Sequence, residues 1–245
     1  ITIKEINMNK FKKLITSITA LSFLTTTGYS HYDVLGGELI LEAGFHSQYV
    51  SKGADENSDR PAYSLSATFE KSLDMVDFYI GYSTISATGN NYSREDARFL
   101  GITKKIESIT AEVGLSETLK KGNSNSNQNN EVDFIYKLTF QPEKAPYTVG
   151  LVYTVNDTGG SKTESGRIKD KNYKEINASY DFKVLTASVS YGEQQNDRDI
   201  KTLALSKSFM ETDFTVTYSK VERKHSESAV DRNRDYLVLS VNKEF

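Results

Sequence analysis

The last ten residues, Tyr236-Leu237-Val238-Leu239-Ser240-Val241-Asn242-Lys243-Glu244-Phe245, decide how the chain is read. Taken alternately from the end, Phe245, Lys243, Val241, Leu239 and Leu237 form one set and Glu244, Asn242, Ser240, Val238 and Tyr236 the other. The first set is mostly apolar and the second mostly polar. A period of two marks a strand whose two faces meet different surroundings. A strand that ends on an aromatic at the chain terminus is unusual, because chain ends fray and bury little. An edge strand of a soluble sheet can show the same ending, so the rest of the chain must choose.

Composition narrows the choice. The 245 residues are 37% apolar and 26% charged, with no Cys and no Trp, and mean hydropathy is −0.51. No apolar run approaches the ~18 residues that a membrane helix needs. Low hydropathy does not argue against a membrane β-barrel, in which only alternate residues face lipid and the lumen is polar. The aromatic residues, 11% of the chain, are all Tyr and Phe and suit interfacial girdles, although the lack of Trp departs from them. The lack of Cys is compatible with an oxidising compartment.

The amino end predicts the compartment. Met8-Asn9-Lys10-Phe11-Lys12-Lys13 is a positive n-region, Leu14 to Leu24 a short apolar h-region, and Gly28-Tyr29-Ser30 supplies small residues for cleavage after Ser30. This pattern reads as a secretory signal peptide over residues 8–30. Ile1 to Asn7 precede the first Met and are read as an upstream extension or artefact. The mature chain is expected to be His31–Phe245. Setting aside residues 1–30, with Lys4, Lys10, Lys12, Lys13 and Glu5, moves the net charge from −3 to about −6. An acidic product of this kind gives no reason to expect nucleic-acid binding.

The mature chain repeats one pattern. Leu39, Leu41, Ala43 and Phe45 alternate with polar residues, as do Tyr63, Leu65, Ala67 and Phe69, then Val76, Phe78, Ile80 and Tyr82. A fourth strand lies near Asp96–Thr103, where parity is unclear because Arg98 shares a face with Leu100 and Ile102. Further strands are set by Ile109–Leu115, Val132–Phe140, Tyr147–Val155, Ile176–Phe182, Leu185–Tyr191, Leu203–Phe209, Phe214–Tyr218 and the terminal segment. The connections alternate long and short throughout. Ser51–Arg60, Ala87–Ser93, the Asn/Ser tract 122–130, Asp157–Arg167, Gln194–Asp197 and Glu222–Ser228 are read as loops, and tight turns lie between them. The Asn/Ser tract buries nothing. An even count of about twelve strands, with long loops at one end and short turns at the other, predicts an all-β fold: a transmembrane antiparallel up-and-down barrel in a bacterial outer membrane. A β-sandwich has no reason to segregate loop lengths by end. Soluble barrels of the calycin kind stop near eight strands and turn their apolar face inward.

Two resemblances agree with that prediction. The terminal strand resembles the C-terminal strand of outer-membrane barrels, which implies that Phe245, with Val241 and Leu239, helps close the barrel and serves as a signal to the barrel assembly machinery. Gly44-Phe45-His46-Ser47-Gln48-Tyr49-Val50-Ser51-Lys52-Gly53, followed by Pro61, resembles the opening of the TorF-like family of small porins, with Lys52 where Arg is frequent. That resemblance implies an outer-membrane location and a pore, not a particular solute.

Parity places Glu42, His46, Glu70, Asp77, Glu112, Asp133, Lys137, Glu175, Asp181 and Asp213 on the lumen side. Glu112, Lys137 and Glu175 are expected nearest mid-barrel. Twelve strands fall between small barrels filled by side chains and open 16-stranded porins. A porin that passes small cations or neutral solutes is therefore expected, since rings of acid favour cations. The same acids would do no more than keep the lumen wet if each were paired. Outer-membrane lipid, the assembly machinery and small solutes are the expected partners, with no cofactor and no metal. Two other classes remain open: a non-conducting structural or adhesive barrel, and a barrel lipid hydrolase. Hydrolysis needs an activated nucleophile, generally with a positioned His. His31 stands at the mature terminus, His225 in a charged loop, and only His46 on a strand, where adjacent Ser47 points to the opposite face. No enzyme is expected. Asp55, Glu56 and Asp59 lack the Gly-anchored spacing of a calcium loop. Lys207 and Lys243 fall on the lipid-facing parity near strand ends, where a Lys can snorkel to water.

Overall fold

The computed structural model describes residues 31–52, 54–55, 59–86, 93–121, 130–156, 172–195, 197–224 and 233–245. The signal-peptide reading and the Asn/Ser tract, apart from Asn130 at the start of the ninth strand, lie outside them. The strands are β1 (His31–Val34), β2 (Gly37–His46), β3 (Val50–Ser51), β4 (Ala54–Asp55), β5 (Ala62–Ser72), β6 (Asp77–Ser86), β7 (Arg94–Ile106), β8 (Ile109–Lys121), β9 (Asn130–Phe140), β10 (Tyr147–Asn156), β11 (Tyr173–Asp181), β12 (Thr186–Gln194), β13 (Arg198–Phe209), β14 (Thr212–Arg223) and β15 (Asn233–Glu244). Twelve of them, β2 and β5 to β15, form a continuous antiparallel sheet in chain order, and β15 returns to pair with β2. The ring is therefore closed and leaves no edge along the wall, which a bilayer interior requires.

Period-two alternation gives the wall two chemically different faces. Leu65, Ile102, Leu151, Ile176, Val189, Leu203 and Leu237 all point outward and are about half exposed. Tyr63, Tyr153 and Tyr191 stand on this face toward the loop end, and Phe140, Tyr147, Tyr180 and Phe209 at the turn end. An apolar band of this extent cannot face water and is accommodated by hydrocarbon, with aromatic rings at both of its margins.

The uncertain fourth strand is β7, longer than its sequence core. Arg98 stands outward beside Leu100 and Ile102 and pairs in register with Glu117, while Phe99 turns inward. Segregation of the connections has one exception. Five turns are short, but the loop-end connection between β12 and β13 is also short, Gln195–Asp197. It lies within the loop read at Gln194–Asp197, and β13 runs back beyond Leu203 to Arg198. At the rim, charged residues continue the strand by pairing across it: Lys201 meets Glu222 at 3.2 Å and Lys224 meets Asp199 at 3.1 Å.

β1 is an addition. Leu35 and Gly36, at φ 52° and 70°, form the two-residue turn that joins it to β2. β1 and β15 then lie end to end along one edge of β2: Glu244 pairs with Glu42, Phe245 N donates to Leu41 O at 2.8 Å, and His31 pairs with Ile40. Lys243 sits over the Phe245 ring, 5.7 Å from its centroid, and Lys207 lies opposite Phe214, so both lysines are close to the turn end.

Candidate functional site

The inner face is built by the residues that alternate with the apolar band. At its turn end, β2 sets Glu38 beside Glu70 of β5 and Glu42 beside Glu244 of β15. Asp77, Asp181 and Asp213 share this inner parity on β6, β11 and β14. Lys105 and Lys137 are the inward cations of this half among the described residues. Glu42 accepts from Ser66 at 3.3 Å, and the Asp181 carboxylate caps the turn by accepting from Lys183 N at 2.6 Å.

Higher up the wall, Glu112 Oε1 accepts from Tyr79 Oη at 2.8 Å and from Lys137 Nζ at 2.9 Å. Tyr79 reaches Glu112 because the far side of its ring passes over Gly101 and its hydroxyl over Gly114, where a Cβ would collide with them. A cavity of about 570 Å³ opens here, lined by Glu70, Asp77, Tyr79, Glu112 and Lys137 among others. Glu175 belongs to a different level. Near the loop end of β11, it accepts from Tyr173 Oη at 2.6 Å and Asn177 Nδ2 at 3.0 Å. Glu112 and Lys137 thus lie three residues from the turn ends of β8 and β9, and the three residues do not share one mid-barrel ring.

His46 stands at the closing seam. Its Nδ1 lies 3.0 Å from Ser240 Oγ of β15 and its Nε2 3.2 Å from Ser64 Oγ of β5. With both ring nitrogens engaged by serines, no nitrogen remains for the carboxylate that would orient a catalytic base. Ser47 serves the same seam, exchanging two hydrogen bonds with Leu239 through its N–H and Oγ. The terminal residues read as an assembly signal also stand here: Val241 pairs with Phe45, Leu239 with Val216, and Phe245 docks on Leu41.

After Ser47 the chain leaves the wall and folds inward. Tyr49 Oη donates to Glu95 Oε2 on β7 at 2.9 Å, and Lys52 Nζ donates to Asp133 Oδ2 on β9 at 2.9 Å. Asn156 holds the other Asp133 oxygen at 2.7 Å. Between them Val50 packs against a buried apolar patch of Ile200, Val221 and Tyr236 on β13, β14 and β15. Tyr49–Lys52 is therefore a strap across the lumen, tied to opposite walls. Lys52 turns the chain with φ 44°, a strained value for a side chain that bears Cβ. Below the strap lies a cavity of about 360 Å³ that includes His46, Glu175, Thr202 and Ser240. At the mouth lies another of about 300 Å³. Asp59 of the first loop accepts from Gln48 at 2.7 Å. At the outer rim, Lys224 is held above the usual lysine range by its hydrogen bonds to Glu193 and Asp199.

Alternation of sequence suggests inward residues but gives no sign of the strap. Tyr49 and Lys52 sit in the quoted Gly44–Gly53 stretch, yet their partners are tens of residues away. A closed antiparallel ring with an apolar exterior and a polar, charged interior is a transmembrane β-barrel. No family model and no curated protein matches the chain in sequence. Among solved structures, the chain is similar to the KdgM porin, solved in complex with disordered oligogalacturonate, at TM-score 0.53 and 14% identity, over 84% of this chain and 99% of that one. The NanC porin matches at TM-score 0.50 and 12% identity, over 83% and 97%. The chain has the fold of small outer-membrane porins.

Proposed function

We propose that the chain is a passive diffusion channel of a bacterial outer membrane, admitting small cations and neutral solutes in preference to anions. Carrying this reading is the excess of inward acids in the turn-end half, where Glu38, Glu42, Glu70, Asp77, Asp181, Asp213 and Glu244 stand against Lys105 and a Lys137 already paired with Glu112. Neighbouring carboxylates raise local cation concentration and repel anions. Residues 8–30 would direct export, the assembly machinery would read the Phe245 strand, and the Gly44–Gly53 stretch agrees with a TorF-like identity. The strap favours a second reading, a barrel held shut. Liposome swelling separates the two. Vesicles carrying the protein should swell in small neutral sugars and amines faster than in organic anions of equal size. No swelling from correctly folded protein would favour the closed, structural barrel.

A further inference from the structure

Resting on the channel reading, we infer that the mouth cavity above the strap is a binding site for zwitterionic solutes of amino-acid or dipeptide size. Its charged lining is balanced: Lys52, Lys120 and Arg198 against Glu95, Glu131 and Asp133. A simple anion entering it meets three carboxylates, and a simple cation meets three bases. A solute with separated charges and no net charge satisfies both.

Two buried atoms sharpen this choice. Among the described residues, three buried side-chain atoms lack a well-aligned hydrogen bond, Glu95 Oε1, Arg198 Nη1 and Asp199 Oδ1; the first two belong to residues that line this cavity, and the third faces Lys224 Nζ at 3.1 Å. Glu95 is 8% exposed; its Oε2 is taken by Tyr49, while Oε1 has only Lys120 Nζ at 3.4 Å. Arg198 spends Nε on Asp197 at 2.8 Å, and its Nη2 goes to the same oxygen, leaving Nη1. Glu95 on β7 and Arg198 on β13 are six strands apart in a ring of twelve, so they stand on opposite walls of one cavity. A buried donor left unpaired is costly, and the 3.4 Å ion pair with Lys120 leaves Glu95 Oε1 short of a full hydrogen bond. An ammonium donating to Glu95 and a carboxylate accepting from Arg198 would satisfy both with charge-assisted bonds.

The probe is L-alanyl-L-alanine, with its N-acetyl form (carboxylate only) and its amide form (ammonium only) as controls. Calorimetry on protein purified from outer membranes should show the free dipeptide binding at least about tenfold more tightly than either control. E95Q and R198Q should each weaken it by about tenfold, with the folded-barrel gel mobility retained. S51F, which fills the cavity from the strap, is the second variant if R198Q does not fold, and should abolish binding. Equal binding of all three peptides, or no binding by folded protein, overturns the proposal. Calorimetry does not require conduction. Binding without conductance supports the site and removes the channel reading, whereas conductance without binding removes the site alone.

Discussion

Lys52 carries more structural consequence than its place in a polar stretch suggests. It turns the strap at a positive φ and ties it to Asp133. The pair is partly exposed, so it holds the strap by only about 1 kcal/mol. K52Q should raise the fraction of time the strap is displaced by about fivefold, seen as larger or more frequent conductance steps; unchanged steps would mean that Tyr49 and Val50 suffice. Gly101 is a second such position. G101L would drive the Tyr79 ring off β7 and break its hydrogen bond to Glu112, with a loss of about 1–3 kcal/mol in urea unfolding. Neither position was legible in sequence. Tyr79, Gly101 and Gly114 belong to three different strands, and nothing local to Gly101 announces a ring lying across it.

At the scale of elements, what the sequence revealed and what it hid have a common cause. Strands whose outward face is apolar announce themselves by period two, and the closing strand at Tyr236–Phe245 does so most clearly. The strap does not, because alternation stops at Ser47 and a single Val carries its burial against three distant strands. β1 was hidden for the opposite reason: its four residues are too few to show a period, and only Gly36-Gly37 hints at the turn. Alternation marks β13 only from Leu203 and leaves Arg198 to Lys201 unassigned, because charged residues hide the period, yet rim ion pairs let them continue the strand. Turn chemistry offers a test here. Met210 and Glu211 both hold positive φ, 50° and 56°, in the turn between β13 and β14. Such a turn favours Asn-Gly, so M210N/E211G should stabilise the barrel by roughly 0.5–1 kcal/mol in urea unfolding. A loss of stability would show that these side chains have a role outside the turn.

For the molecule as a whole, the two halves of the lumen differ in charge. The turn-end half is rich in acid with few bases, and the mouth is balanced and crossed by the strap. Ion preference should therefore be set below the strap. E70Q/D77N should reduce cation preference while leaving dipeptide binding at the mouth unchanged, which zero-current potentials and calorimetry would check together. The central claim, a water-filled and cation-preferring lumen, is tested most directly by the zero-current potential of single channels in planar bilayers under a potassium chloride gradient. Discrete conductance steps with a potential displaced toward that of potassium are the predicted result. A potential displaced toward chloride, or no steps from protein shown to be folded, would contradict it.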